Sequence, residues 1–227
     1  MIILAPSAIL LYKFSIMNNF DGLILDVDGT IWNTTGIVAN AWNGAIDKNF
    51  PQVPHVTADI LKGQFGKTMD VIADNLFSVL DADQKKELMQ LCCTAEQAAL
   101  VANREHITYP DVVETLQRLE KRIPLFIVSN CQSGYIELVM EKNGITNLIK
   151  DFECFGNNGL SKDKNISLIV QRNGLKKPVY VGDTQGDFDA CKKAGVPFVW
   201  AAYGFGHPET NDYFAKIEKF IELENLL

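Results

Sequence analysis

Four short apolar runs constrain this 227-residue chain more than any other feature. They are Leu23–Leu25, Pro124–Val128, Val179–Val181 and Pro197–Trp200, each apolar on both faces and bounded by polar residues or glycine. Strands of an antiparallel sheet with one wet face alternate apolar with polar, whereas strands covered on both sides read as continuous apolar runs. Amphipathic stretches lie between the runs: Asp111–Lys121, with Val112, Leu116 and Leu119 on one side, then Ser133–Asn143, Lys164–Asn173 and Gly186–Ala194. The last three are followed by Gly144, Gly174 and Gly195, residues suited to ending a helix. With a weaker strand at Phe152–Phe155, the order from about residue 108 onward is helix, strand, helix, strand, repeated. That alternation predicts an α/β fold, a mainly parallel sheet with helices on both faces.

Residues 34–105 break the rhythm. They carry helical patterns at Val38–Lys48, Met69–Leu80 and Asp83–Ala102 and little that resembles a strand, so a helical insertion is expected after the first strand. The expected division is therefore a core from 17–33 and 106–227, with 34–105 inserted. Ile2–Tyr12 is apolar but too short to span a bilayer, and it lacks the basic lead-in and cleavage site of a signal peptide. Met17 opens a more ordinary start, so residues 1–16 read as an N-terminal extension.

A net charge of −7 argues against sequence-independent nucleic-acid binding, which needs a basic footprint. The five cysteines, Cys92, Cys93, Cys131, Cys154 and Cys191, form no CxxC pair and no zinc-ligand spacing; reduced thiols in a cytoplasmic protein are expected.

The chemistry-bearing residues sit where the apolar runs stop. Asp26 and Asp28 follow the first run, and side chains two apart on an extended chain face the same way. Both carboxylates can then face one site at the carboxyl end of a strand, where open α/β sheets bind ligands. One carboxylate can attack phosphorus and the other can move the proton. Gly29 and Thr30 complete a tight turn and supply a hydroxyl or amide; Asp-Gly is also ordinary turn chemistry. Asp183 ends the third run, with Asp187 four residues on near a helix start, where negative charge is favoured in any case. Asp26 and Asp183 together offer the hard oxygen ligands that Mg²⁺ takes. Ser129 and Asn130 end the second run and suit phosphoryl oxygens, although Ser129 would serve equally as a helix cap. Lys162, in GLSKDKN, can neutralise phosphoryl charge, with Lys164 a close competitor.

DVDGT at 26–30, the strand ending in Ser129, Lys162, and GDTQGD at 182–187, in this order, resemble the motifs of the haloacid dehalogenase-like hydrolase superfamily. The resemblance spans about residues 20–206. It implies a Rossmann-like core under a helical cap, with 34–105 as the cap. It implies that Asp26 is nucleophile and Mg²⁺ ligand, and that Asp28 is general acid/base with a metal-binding carbonyl. Ser129 would hold the phosphoryl group, Lys162 would balance charge, Asp183 would bind Mg²⁺, and Asp187 would support the metal directly or through water. His106–Val112 looks like the return linker of phosphoglycolate-phosphatase-like members. Two departures stand out: Ile31-Trp32-Asn33-Thr34 where those relatives often continue LxDS, and Lys162-Asp163 where they often have Lys-Pro. Asp28 argues against dehalogenase chemistry. The expected activity is Mg²⁺-dependent hydrolysis of a small phosphorylated metabolite, phosphoglycolate-like or a sugar phosphate, through an aspartyl phosphate. A phosphosugar mutase would share these motifs, and a phospho-aspartyl signalling module would lack sustained turnover.

Overall fold

The computed structural model describes residues 20–227. The expected extension at 1–16 lies outside them. Six strands form one parallel sheet: β1 (Gly22–Leu25), β2 (Leu125–Ser129), β3 (Ile149–Cys154), β4 (Pro178–Gly182), β5 (Phe198–Ala201) and β6 (Ala215–Ile217), in the order β3-β2-β1-β4-β5-β6. The four apolar runs became β1, β2, β4 and β5. Their double-sided apolarity has a direct cause, because each face of the sheet carries its own core. Leu23, Leu25, Leu125, Ile127, Val179 and Val181 face one layer with Leu116, Leu119, Ile136 and Val139. Ile24, Phe126, Val128 and Tyr180 face the other, with Ile166, Ile169 and Phe188. The first layer holds α5 (Val112–Leu119) and α6 (Tyr135–Lys142); the second holds α8 (Lys162–Arg172) and α9 (Gln185–Ala194).

β1 is central. It pairs with β2 on one side (Leu25↔Ile127) and β4 on the other (Leu25↔Val181). The chain winds outward through β2 and β3, then returns past β1 to β4, so the order reverses between β1 and β4. That switch point opens a crevice at the carboxyl ends of these two strands.

Between β1 and α5 lie α1 (Thr35–Asn49), α2 (Ala58–Lys62), α3 (Met69–Leu76) and α4 (Ala82–Ala102). Val38, Trp42, Ile46, Leu61, Ile72, Phe77, Leu88 and Cys92 bury themselves in a cluster of their own. The insertion leaves and rejoins the sheet side by side: Asn33 N–H donates to Ile107 (2.8 Å) and Tyr109 N–H to Ile31 (3.0 Å).

Some elements differ from expectation. α2 has five residues, too few for periodicity to show, and is set by Thr57, whose hydroxyl caps the Ile60 amide. β6 is a three-residue edge strand with no alternation to read. β3 begins at Ile149 rather than Phe152, and Phe155 opens the short α7 (Phe155–Asn158). β3 is the other edge, so Lys150 and Asp151 can stay on its surface and blur the apolar signal. α8 starts at Lys162, two residues before the expected start.

Ile24 is fully buried on the central strand. Ile24→Ala is expected to lower unfolding free energy by about 2–5 kcal/mol, read as a lower urea midpoint at unchanged slope.

Candidate active site

The site grows from the end of β1. Asp26 N–H donates to Val181 (2.9 Å), continuing the β1–β4 ladder and fixing Asp26 at the rim of the crevice. The chain then turns over the Val27 carbonyl, which accepts from the Thr30, Ile31 and Trp32 amides. Gly29 has φ +80°, a conformation costly for side-chain-bearing residues. A Cβ there would also strike the Asp183 carboxylate, as would one at Gly204. Glycines at both positions let backbone close in on Asp183.

Three buried acids, Asp26, Asp183 and Asp187, each bring a carboxylate oxygen within 4.8 Å of the others. Lys162, 5% exposed, balances them: its Nζ donates to Asp187 Oδ1 (2.6 Å) and lies 3.0 Å from Asp26 Oδ1. The Lys162–Asp26 contact is a buried ion pair. Asp187 Oδ2 accepts from the Thr184 amide (3.0 Å) and hydroxyl (2.7 Å). Asp183 Oδ2 accepts from the Phe205 amide (2.6 Å), while Asp183 Oδ1 has no partner among the described residues. A buried carboxylate oxygen without a donor is costly, and a hard divalent cation satisfies such an oxygen. Asp183 Oδ1, without a partner among the described residues and next to the Asp26 carboxylate, therefore fits Mg²⁺; the oxygens of Asp187 are already occupied by donors.

Charge follows environment. Burial pushes Asp26 up to about 6 against the pull of Lys162. Burial also raises Asp183 well above the usual carboxylate range, helped by its two acidic neighbours. Burial works against ionised Asp187 too, but Lys162 and Thr184 outweigh it and hold this carboxyl low. Lys162 is likewise opposed by burial, and Asp187 and Asp26 more than offset that, raising its pKa far above the ordinary lysine value.

Asp28 is held separately. Trp32 Nε1 (3.1 Å), Thr34 Oγ (3.3 Å) and the Tyr135 hydroxyl (2.8 Å) all donate to its Oδ1. Its other oxygen is left to the cavity. Burial lifts its pKa to about 7, with the Tyr135 hydrogen bond pulling the other way.

A cavity of about 20 Å³, room for roughly one water, meets both aspartates. Asp26, Asp28, Ser129 and Asn130 line it from the sheet side, and Phe65, Lys67, Met69 and Glu96 from the insertion. The structure thus gathers Asp26, Asp28, Ser129 and Asn130 at one surface, with Lys162, Asp183 and Asp187 packed around Asp26. Gly29 and Thr30 shape the turn; the Thr30 side chain is buried away from the cavity, and its carbonyl accepts from Tyr203 (2.9 Å). Lys164 is exposed, so Lys162 is the lysine at the acids. Trp32, at the first departure from the common motif, is fully buried and supports Asp28.

Tyr135 and Glu96 were not singled out from sequence. Tyr135 had no local signal. Glu96 had one, because it falls on the buried stripe Cys92, Glu96, Leu100 of α4, an acid at a core position.

Doubly wound parallel sheets bind their ligands at the switch point, and that is where these acids sit. The haloacid dehalogenase-like hydrolase family model matches residues 23–201, and the chain belongs to this family. It is 25% identical over 210 residues to a phosphoglycolate phosphatase of Pasteurella multocida, covering 84% of this chain and 89% of the relative. The phosphoglycolate phosphatase of Escherichia coli K12 is 28% identical over 119 residues, 49% of this chain; the match spans about half, 46%, of that relative. Among solved structures, a predicted phosphoglycolate phosphatase from Haemophilus somnus 129PT superposes with TM-score 0.80 at 22% identity, over 91% of this chain and 97% of that one. A subfamily IA hydrolase of the same superfamily from Geobacter sulfurreducens PCA gives 0.68 at 16%, over 92% and 96%.

The raised pKa of Asp28 has a stability consequence in metal-free protein. The folded state holds this proton up to about pH 7, the unfolded chain only to about 3.8. The associated stability is therefore complete below about pH 4 and lost as pH rises through 7. Metal-free Asp28→Asn, which cannot ionise, is expected to unfold at higher urea than wild type at pH 8, the gap closing by pH 4.

Proposed function

We propose that the chain is a Mg²⁺-dependent phosphatase that hydrolyses a small phosphomonoester, phosphoglycolate-like or a sugar phosphate, through an aspartyl phosphate on Asp26. One observation carries this reading: two carboxylates of different character share one cavity, one backed by a lysine and the other held by three neutral donors. The phosphoglycolate phosphatases among its relatives support the same chemistry. In this reading residues 34–105 form a cap over the core of 17–33 and 106–227. Five free cysteines fit a reducing, cytoplasmic setting, and no described helix is long and apolar enough to cross a membrane.

Asp26, Asp183 and the Asp28 carbonyl would hold Mg²⁺, with Asp187 orienting the site through Thr184 and Lys162. When bound, the ion supplies positive charge to phosphoryl oxygens and fixes their position. Lys162 keeps Asp26 ionised and adds its own charge at the phosphoryl group. Ser129 and the Asn130 backbone offer donors for the remaining oxygens, the positioning that phosphoryl transfer depends on. Asp26 attacks phosphorus; its new O–P bond forms as the bond to the leaving alkoxide breaks. Asp28, near pKa 7, gives that alkoxide its proton. Asp28 then takes a proton from water, which attacks phosphorus and releases inorganic phosphate, restoring Asp26. Trp32, Thr34 and Tyr135 keep one Asp28 oxygen fixed so that the other handles the proton.

Asp26→Asn is expected to lower kcat on p-nitrophenyl phosphate by at least about 10³-fold, as loss of a covalent nucleophile does. Chelator should stop wild-type turnover and added Mg²⁺ restore it. Near-wild-type activity in Asp26→Asn, or full activity in chelator, would sink the assignment.

A further inference from the structure

The lining of the reaction cavity includes a buried acid, Glu96, and two side-chain amides, Gln132 and Asn130. Glu96 is buried on α4 at 1% exposure, and no lysine or arginine pairs with it among the described residues. Its Oε2 accepts from Trp42 Nε1 (2.9 Å) and its Oε1 from Gln132 Nε2 (3.0 Å). Each oxygen can accept a second hydrogen bond. Gln132 must turn its amide nitrogen toward this carboxylate, so its Oε1 points elsewhere, buried and without a donor. Asn130 repeats the arrangement: its Nδ2 donates to the Gly66 carbonyl (2.7 Å), which leaves Oδ1 buried and unpartnered. Phe65, Met69 and Ile72 supply no polar atoms to the remaining wall. Lys67, the cation at the rim, is exposed, and its Nζ is engaged by the Gly63 carbonyl (2.9 Å) and Gln64 Oε1 (3.1 Å).

A buried carboxylate without a paired cation, beside two amide oxygens that lack donors among the described residues, favours a ligand that brings hydrogens. A ligand carboxylate would bring only more lone pairs and a like charge into a space where water cannot screen it. We propose that Glu96, with Gln132 and Asn130, determines substrate class: the site takes phosphomonoesters whose leaving group is a small polyol or amino alcohol, and it rejects leaving groups carrying a carboxylate. This rests on the phosphatase reading above and divides its two substrate forms, setting phosphoglycolate aside in favour of hydroxyl-rich esters. Burial, which lifts Glu96 to about 7, still leaves it mostly ionised in mildly alkaline solution.

The test compares kcat/KM for glycerol 3-phosphate and 2-phosphoglycolate at pH 8 with Mg²⁺, with p-nitrophenyl phosphate as a general substrate. Wild type is expected to favour glycerol 3-phosphate at least about ten-fold, the scale on which sites built for substrate hydroxyls discriminate or better. In Glu96→Gln that ratio is expected to fall at least ten-fold; a ratio within one protein cancels any loss of folded fraction. Phosphoglycolate as the better substrate of wild type, or a ratio that Glu96→Gln does not move, would overturn the proposal. If Glu96→Gln does not fold, the wild-type ratio decides alone. Absence of turnover on all three esters, p-nitrophenyl phosphate included, would instead overturn the phosphatase reading beneath it.

Discussion

The ion cluster of Lys162 with Asp26 and Asp187 is the constraint on which the rest of the site depends. Three charges are sealed at the sheet's edge with almost no exposure, and such a group is tolerable only when every member is matched. Lys162 can reach both acids because α8 begins at that residue. Asp187 can receive it because Thr184 and Asp187 form a capping box at the start of α9. The nucleophile candidate thus owes its charge to the first turns of two helices on the same face of the sheet. Asp183 completes the group with one oxygen tied to Phe205 and the other untied.

Asp28 stands apart because no cation among the described residues pairs with it. Neutral donors fix its geometry without fixing its charge, and burial leaves it near neutrality. Burial raises both carboxyls; what separates them is their partners, a lysine ammonium at Asp26 and three neutral donors at Asp28.

Much of this arrangement was legible in the sequence, for reasons of covalent geometry. Asp26, Ser129 and Asp183 each follow an apolar run, and parallel strands bring such positions to one edge whatever the loops do. Lys162 required the family resemblance, because the local sequence did not separate it from Lys164. What stayed hidden was set by tertiary packing alone. Tyr135 reaches Asp28 across 107 residues, and no local pattern marks it. Glu96 meets Trp42 and Gln132 from distances of 54 and 36 residues along the chain. β6 and α2 are too short for periodicity to accumulate, and the polar edge of β3 masked three of its residues. Trp32 read as a departure from pattern; it proves to be one of the three donors on Asp28.

The insertion has a bearing on how the chain comes to be folded at all. β1 leaves the ribosome before its neighbours β2 and β4, which follow roughly a hundred and a hundred and fifty residues later. At ordinary synthesis speeds of about 5–20 residues per second, β2 follows after roughly 5–20 s and β4 after roughly 8–30 s, and until then this apolar strand lacks its neighbours. The segment made in the meantime, 34–105, carries an apolar cluster of its own and can bury it without waiting. The strand that bears Asp26 must wait for the far half of the chain. Its assembly is a long-range closure, slow by topology and exposed to aggregation until β4 arrives.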